Sequence, residues 1–318
     1  MKYVLLTVCA VALMMPSMVL ANVLVSYNGN SLGLFSDSGE LIRNYATDMS
    51  NPQGVVTDNA GNVYVADWGH GQVRMYEMMS GAFVRNVVVN AACRPIGLAF
   101  NPANPGEIIV ILAYDTGGGN FTKSQLARWN TNATNSSVIA NNNLGVPYSS
   151  AYYFPGIPAR NWAAGIYVAA AGIVFQKFSP ATLAHIPSGD LSAPGAGAIT
   201  GAAADLYLTG TTTGLNGYLQ RVSDSAVLAQ GMTSPTGITN DGTNLWVAQN
   251  GNNAVANYDA ATGALISYFN IPAPMGIAYI CAWPVGDLNF DCTVDFADFA
   301  MMAAEWLECT RIPPSLCD

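Results

Sequence analysis

The residues with the clearest chemistry lie near the C-terminus, where Asp287 to Asp298 reads DLNFDCTVDFAD. Counting from Asp287, side-chain oxygens fall at positions 1, 3, 5, 9 and 12 (Asp287, Asn289, Asp291, Asp295 and Asp298), and position 7 offers the Thr293 carbonyl. That spacing wraps a hard cation in oxygens, and calcium is the ion it suits. Val294, at position 8, is the apolar residue that pins such a loop to its core. Directly afterwards Phe296, Phe299, Ala300, Ala303, Trp306 and Leu307 recur at helical spacing, which predicts a helix of about three turns with one apolar face. No helix is expected before the loop, because Pro284 and Gly286 interrupt the chain there.

Elsewhere, residues suited to catalysis are sparse. Of the two histidines, His70 stands in a Gly69-His70-Gly71 turn and His185 in an expected outer strand, so a histidine-built zinc site is not expected. Asp58, Asp67, Asp205 and Asp241 are the acids to weigh as calcium ligands. The preferred alternative is that they cap turns, because Asp and Asn side chains bond nearby backbone N–H groups. There is no G-x-S-x-G elbow, H-E-x-x-H pair or phosphate loop.

The composition is that of a turn-rich, sheet-forming exported protein. Charged residues make up only 10% of the chain and hydrophobic ones 51%, and the 31 Gly and 17 Pro favour sheet and turn over helix. The net charge of −9, without clustered Lys and Arg, argues against a nucleic-acid partner. Residues 1–21 combine Lys2, an apolar run from Tyr3 to Met15 and a Val19-Leu20-Ala21 cleavage site, which predicts a secretory signal peptide and a mature start at Asn22. Pro16 and Ser17 break the run before it is long enough to cross a bilayer, so no membrane span is expected after cleavage. The expected location is extracellular or in the cell envelope.

The scaffold for any site is a repeat. Pro52 to Phe83 holds short apolar runs at Gly54–Thr57, Val63–Ala66 and Val73–Tyr76, each too short for a helix and separated by Asn- and Gly-rich turns, with a fourth run opening at Phe83. From Pro235 the same pattern returns: Pro235 and Gly237 stand for Pro52 and Gly54, Asn244 for Asn62, Trp246 for Tyr64, and Tyr258 for Tyr76. Asn22 to Tyr45 matches only from the second strand onward, and Pro274 to Tyr279 is a first strand with nothing after it. A ring explains both, with the strand near Ile277 completing the sheet begun at Val23 and leaving no open edges. First-strand glycines at Gly54, Gly97, Gly197, Gly237 and Gly276, with one further unit starting near Ala151, make six blades. That further unit is expected to use Ile166–Ala169, Val174–Phe178 and Leu183–Ile186 as its outer strands. The expected fold is therefore an all-β six-bladed propeller over 22–283, closed by its N-terminal strands.

The pattern P-x-G-hydrophobic, then G-N-hydrophobic-Y/W-V-A-D, then G-x-x-x-V-x-x-Y resembles the NHL-repeat β-propellers in Pro52–Phe83 and Pro235–Ile266. The resemblance implies a six-bladed propeller and leaves the activity open, since this architecture carries binding proteins, lyases and lactonases alike. The turns between second and third strands are expected to line one face of the disc with Tyr27, Asn28, Trp68, His70, Tyr114, Gln249 and Asn250. Aromatic faces and amides of this kind suit a protein or glycan partner, while the structural alternative is inter-blade packing and turn formation. The competing class is a lyase- or lactonase-like enzyme, in polysaccharide breakdown for instance, with a metal or acid site at the axis.

Residues 284–318 resemble one half of a dockerin, the calcium-dependent module that docks bacterial secreted enzymes onto scaffolds. The resemblance implies a cohesin-like or envelope scaffold partner. The segment departs from that pattern in having a single loop, and in carrying Cys292 at position 6, where glycine is usual. A left-handed non-glycine residue costs on the order of 1 kcal/mol. Cys281, Cys292, Cys309 and Cys317 cluster around this small module in an expected oxidising compartment, and disulfides would offset that cost. Cys292 with Cys309 and Cys281 with Cys317 is the favoured pairing, though spacing leaves connectivity open, and Cys93 is left over as a buried thiol.

Overall fold

The computed structural model describes residues 21–58, 60–89, 93–100, 106–115, 121–131, 141–144, 147–154, 164–170, 174–192, 195–202, 205–211 and 217–281, together with Phe296, Phe299 and Ala300. Its compact unit Asn22–Ile280 is the propeller. Among the described residues the strands form six four-stranded antiparallel sheets.

Blade 1 is the split one, in the order β24 (Ile277–Cys281), β1 (Ala21–Tyr27), β2 (Ser31–Ser36) and β3 (Leu41–Ala46). Blade 2 comprises β4 (Pro52–Thr57), β5 (Asn62–Asp67), β6 (Gln72–Glu77) and β7 (Phe83–Val89). Blade 3 comprises β8 (Cys93–Phe100), β9 (Glu107–Asp115), β10 (Phe121–Asn130) and β11 (Asn141–Leu144). Blade 4 comprises β12 (Pro147–Phe154), β13 (Gly165–Ala170), β14 (Val174–Phe178) and β15 (Leu191–Ser192). Blade 5 comprises β16 (Ala196–Ala202), β17 (Asp205–Thr211), β18 (Gly217–Arg221) and β19 (Val227–Met232), and blade 6 β20 (Pro235–Asn240), β21 (Asn244–Gln249), β22 (Ala254–Asp259) and β23 (Leu265–Asn270).

The ring closes as the orphan strand required. Ser26 N–H donates to the Gly276 carbonyl at 3.0 Å and Met275 N–H to the Ser26 carbonyl at 2.8 Å, which stitches the first and last segments of the propeller into one sheet. The Ser26 hydroxyl accepts from Gly276 N–H at 2.8 Å and donates to the Gln53 carbonyl at 2.7 Å, so the closure also reaches blade 2.

The P-x-G signature has a backbone reason. A Cβ on Gly54 would stand 2.8 Å from the Ile96 carbonyl oxygen, one on Gly237 2.8 Å from that of Met275, and one on Gly276 would run into that of Gln53. Each glycine lets the next inner strand approach, and the pairing register of β4, β8, β16 and β20 shifts at the same place. The residue before the proline is left-handed in three blades, at Asn51 (φ 52°), Ser234 (φ 48°) and Ala273 (φ 44°).

Second strands are buried on both sides because each sheet packs between two others; Val63 to Asp67 and Leu245 to Ala248 are all essentially inaccessible. The apolar residues of neighbouring blades merge into shared clusters, such as Tyr64, Ala66 and Met75 of blade 2 with Leu98, Ile108 and Val110 of blade 3. One expected strand moves. The outer strand of blade 4 is Leu191–Ser192, not Leu183–Ile186, where His185 makes only an isolated bridge with Phe178. Leu183 there is left-handed (φ 56°) and Pro187 opens a short 3-10 turn, so the chain cannot stay extended.

Phe296, Phe299 and Ala300 are helical, with Phe296 90% and Phe299 58% exposed. The calcium-loop residues Asp287, Asn289, Asp291, Thr293, Asp295 and Asp298, the signal segment up to Leu20, Cys292, Cys309, Cys317 and the side chain of Cys281 lie outside the described residues. No helix among the described residues is long and apolar enough to cross a membrane.

Candidate functional site

Two places on the propeller collect polar side chains: the turns between second and third strands, and the axial channel. At the first, most expected contact residues are engaged within the fold. Tyr27 packs edge-on against Phe35 at 5.4 Å, with its hydroxyl 3.4 Å from Asn44 Oδ1. Asn28 is exposed and left-handed (φ 53°), the residue that makes the turn. Gln249 is buried, donates to Tyr258 Oη at 3.1 Å and accepts from Asn252 at 2.7 Å. Asn250 reaches the Pro274 carbonyl at 3.3 Å, tying blade 6 to the closing strand. Trp68 is partly buried with its own partner. Tyr114 bonds the buried Cys93, and burial pushes both the phenol and the thiol up.

His70 belongs to a charged corner in blade 2. Its Nδ1 lies 2.8 Å from Asp67 Oδ2, and Arg74 Nε lies 2.8 Å from the same oxygen. Ser50 N–H donates to Asp67 Oδ1 at 2.9 Å, so the wholly inaccessible carboxylate is bonded by an amide and paired with the Arg74 guanidinium, with the His70 ring beside it. Arg74 also pairs with the exposed Asp48 at 2.8 Å. Burial opposes the guanidinium's charge, but bonds to Tyr76 and Asp48 and the field of Asp67 outweigh it and hold its pKa above the usual value.

The remaining acids cap turns. Asp58 accepts from the Ala60 and Asn62 amides, from Asn62 Nδ2 and, at 2.8 Å, from the Tyr64 hydroxyl. Asp241 accepts from the Thr243 and Asn244 amides, from Asn244 Nδ2 and, at 3.4 Å, from Trp246 Nε1. Asp205 accepts from Ser223. Among the described residues no three His, Cys, Asp or Glu side chains converge as a metal site.

The axial channel encloses about 260 Å³ and is walled by the inner strands. Its lining changes in rungs counted from the glycines: one residue on come Val55, Leu98, Ala198, Ile238 and Ile277, and three residues on come Thr57, Phe100, Thr200, Asn240 and Tyr279. Tyr152 of blade 4 joins at the position of Val56, between these two rungs. The channel therefore grades from backbone and aliphatic carbon to hydroxyl, amide and aromatic ring, and its described lining carries no formal charge. Asn240 Nδ2 donates to Thr200 Oγ1 at 2.9 Å, and Tyr279 N–H to Thr239 Oγ1 at 3.0 Å. Burial and then the Asp241 carboxylate push the Tyr279 phenol up to about 12. Sequence reading looked for acids at the axis and missed this rung; its signal was the residue three after each first-strand glycine.

Residues 49–76 match the NHL repeat. No curated protein matches the sequence. Among solved structures, a chain of a Nidogen/Laminin complex is similar with a TM-score of 0.63 and 15% identity, over 81% of this chain and 98% of that one. A protein of unknown function from Bacteroides caccae is similar with a TM-score of 0.59 and 10% identity, over 82% and 98%. At such identities the likeness shows the fold, a six-bladed propeller.

Proposed function

We propose that this is a secreted recognition or scaffold protein without catalytic activity, whose propeller binds a protein or glycan partner. The signal segment exports it, and residues 284–318 bind calcium through Asp287, Asn289, Asp291, the Thr293 carbonyl, Asp295 and Asp298 and attach the propeller to a cohesin-like or envelope scaffold. The observation that carries the reading is the axial channel, whose lining among the described residues is Thr, Asn, Tyr, Phe and aliphatic side chains, uncharged and suited to binding. A neighbour of the same fold seen in a Nidogen/Laminin complex supports a protein partner.

Metal content of the purified mature chain tests this directly. One calcium per chain is expected, lost when Asp287→Asn and Asp291→Asn are combined, because removing two carboxylates from one loop strips most of its charge. An ion retained by that variant would lie in the propeller and bring the lyase- or lactonase-like alternative forward.

A further inference from the structure

We infer that the mouth of the axial channel, at the ends of the inner strands, is a subsite for one uncharged sugar ring. This deepens the recognition reading and rests on it. It also moves the contact to the opposite face from the turns that carry Tyr27, His70 and Asn250, since inner strands start at that face and finish at the other.

Four features define the ligand. The cavity of about 260 Å³ lies just below the range of pockets that take drug-sized molecules, so it admits one ring-sized unit and not a folded segment. No formal charge lines it among the described residues, and a charged ligand would lose its hydration there without a counter-charge. A purely apolar ligand fares no better, because Thr57, Asn240 and Tyr279 would lose water and gain no partner. Among the described residues neither the Thr57 nor the Tyr279 hydroxyl has a hydrogen-bond partner, while Asn240 is held in place by Thr200 Oγ1 and by Gly242 N–H at 3.1 Å. Phe100 and Tyr152, partly buried against the clusters between blades, and Tyr279 give the lining an apolar side next to these polar groups. An apolar side next to two unpartnered hydroxyls and a fixed amide matches a pyranose, whose C–H face is apolar and whose edge is hydroxylated.

The test uses the full mature chain, titrated calorimetrically with neutral tetrasaccharides of glucose, xylose, mannose and N-acetylglucosamine, and with tetragalacturonate as a charged comparator. At least one neutral sugar is expected to bind, and Tyr279→Phe and Asn240→Leu are each expected to weaken it about tenfold, the effect of one well-made hydrogen bond. Tyr279→Phe removes a single oxygen, so it separates lost contact from lost folding if Asn240→Leu proves unstable. Preferred binding of tetragalacturonate, no binding of any neutral sugar, or unchanged binding in Tyr279→Phe would each overturn the inference. Failure of the wider recognition reading looks different, because there the tail variant keeps its metal whatever the sugars do.

Discussion

Blades 2 and 6 are two copies of one repeat that agree at one corner and differ at another. At the turn between first and second strands they are nearly superimposable in chemistry: Asp58 and Asp241 each gather two amides, an Asn side chain and an aromatic donor, Tyr64 in one and Trp246 in the other. At the turn between second and third strands they diverge. Blade 2 buries Asp67 against Arg74 and His70, whereas blade 6 puts Gln249, Ala256 and Asn252 at the matching positions, and the Gln249 amide donates a hydrogen bond to Tyr258 and accepts one from Asn252. The first corner caps the turn with the same carboxylate in both blades, although blade 5 forms its sheet with Gly201 at that position. The second only needs its buried polar groups satisfied, and an ion network or an amide network will do so.

The largest expected effect breaks that difference. Asp67→Ala should cost about 3–5 kcal/mol, because it leaves Arg74 buried without its inner partner, while Gln249→Ala should cost about 1–3 kcal/mol. Urea midpoints of the two variants decide it, and equal losses would erase the distinction. Giving blade 2 a neutral corner, with Asp67→Gln and Arg74→Met together, is expected to sit closer to the parent than Asp67→Ala does.

The shared features should respond alike. Gly54→Ala and Gly237→Ala each drive a methyl to 2.8 Å from a neighbouring carbonyl oxygen, and both are expected to lower stability by about 1–3 kcal/mol. Thermal midpoints that separate widely would show that the two inner strands do not close the ring in the same way.

The smallest effect concerns protons. Burial opposes the charge on Asp241, yet hydrogen bonds from Asn244 and Thr243 outweigh it and hold the carboxyl below its ordinary range. Its contribution to stability is thus fully present above the unfolded value of about 4 and is lost as pH falls through the lower folded value. Stability measured from neutral pH down through that window should fall less steeply in Asp241→Asn than in the parent.

The amino-acid sequence alone determined the repeat, the blade number and the ring closure, because these follow from alternation, turn residues and an orphan strand, all local signals. Pro52, Gly54, Asn62 and Tyr64 announced their partners in blade 6 through spacing, and the reuse of Asp58 and Asp241 as turn caps followed from turn chemistry. Leu183–Ile186 misled because its apolar alternation looks like a strand, while the left-handed Leu183 that breaks it leaves no mark in composition. The site was less legible. Tyr27, Gln249 and Asn250 read either as a contact surface or as packing and turn residues, and the fold shows their polar groups bonded to Asn44, Tyr258 and Pro274. Thr57, Phe100, Thr200, Asn240 and Tyr279 are far apart in the chain and ordinary in type, so nothing local marks them. They become a site only when the inner strands close around one axis, because that closure brings equivalent positions of different blades to the same depth.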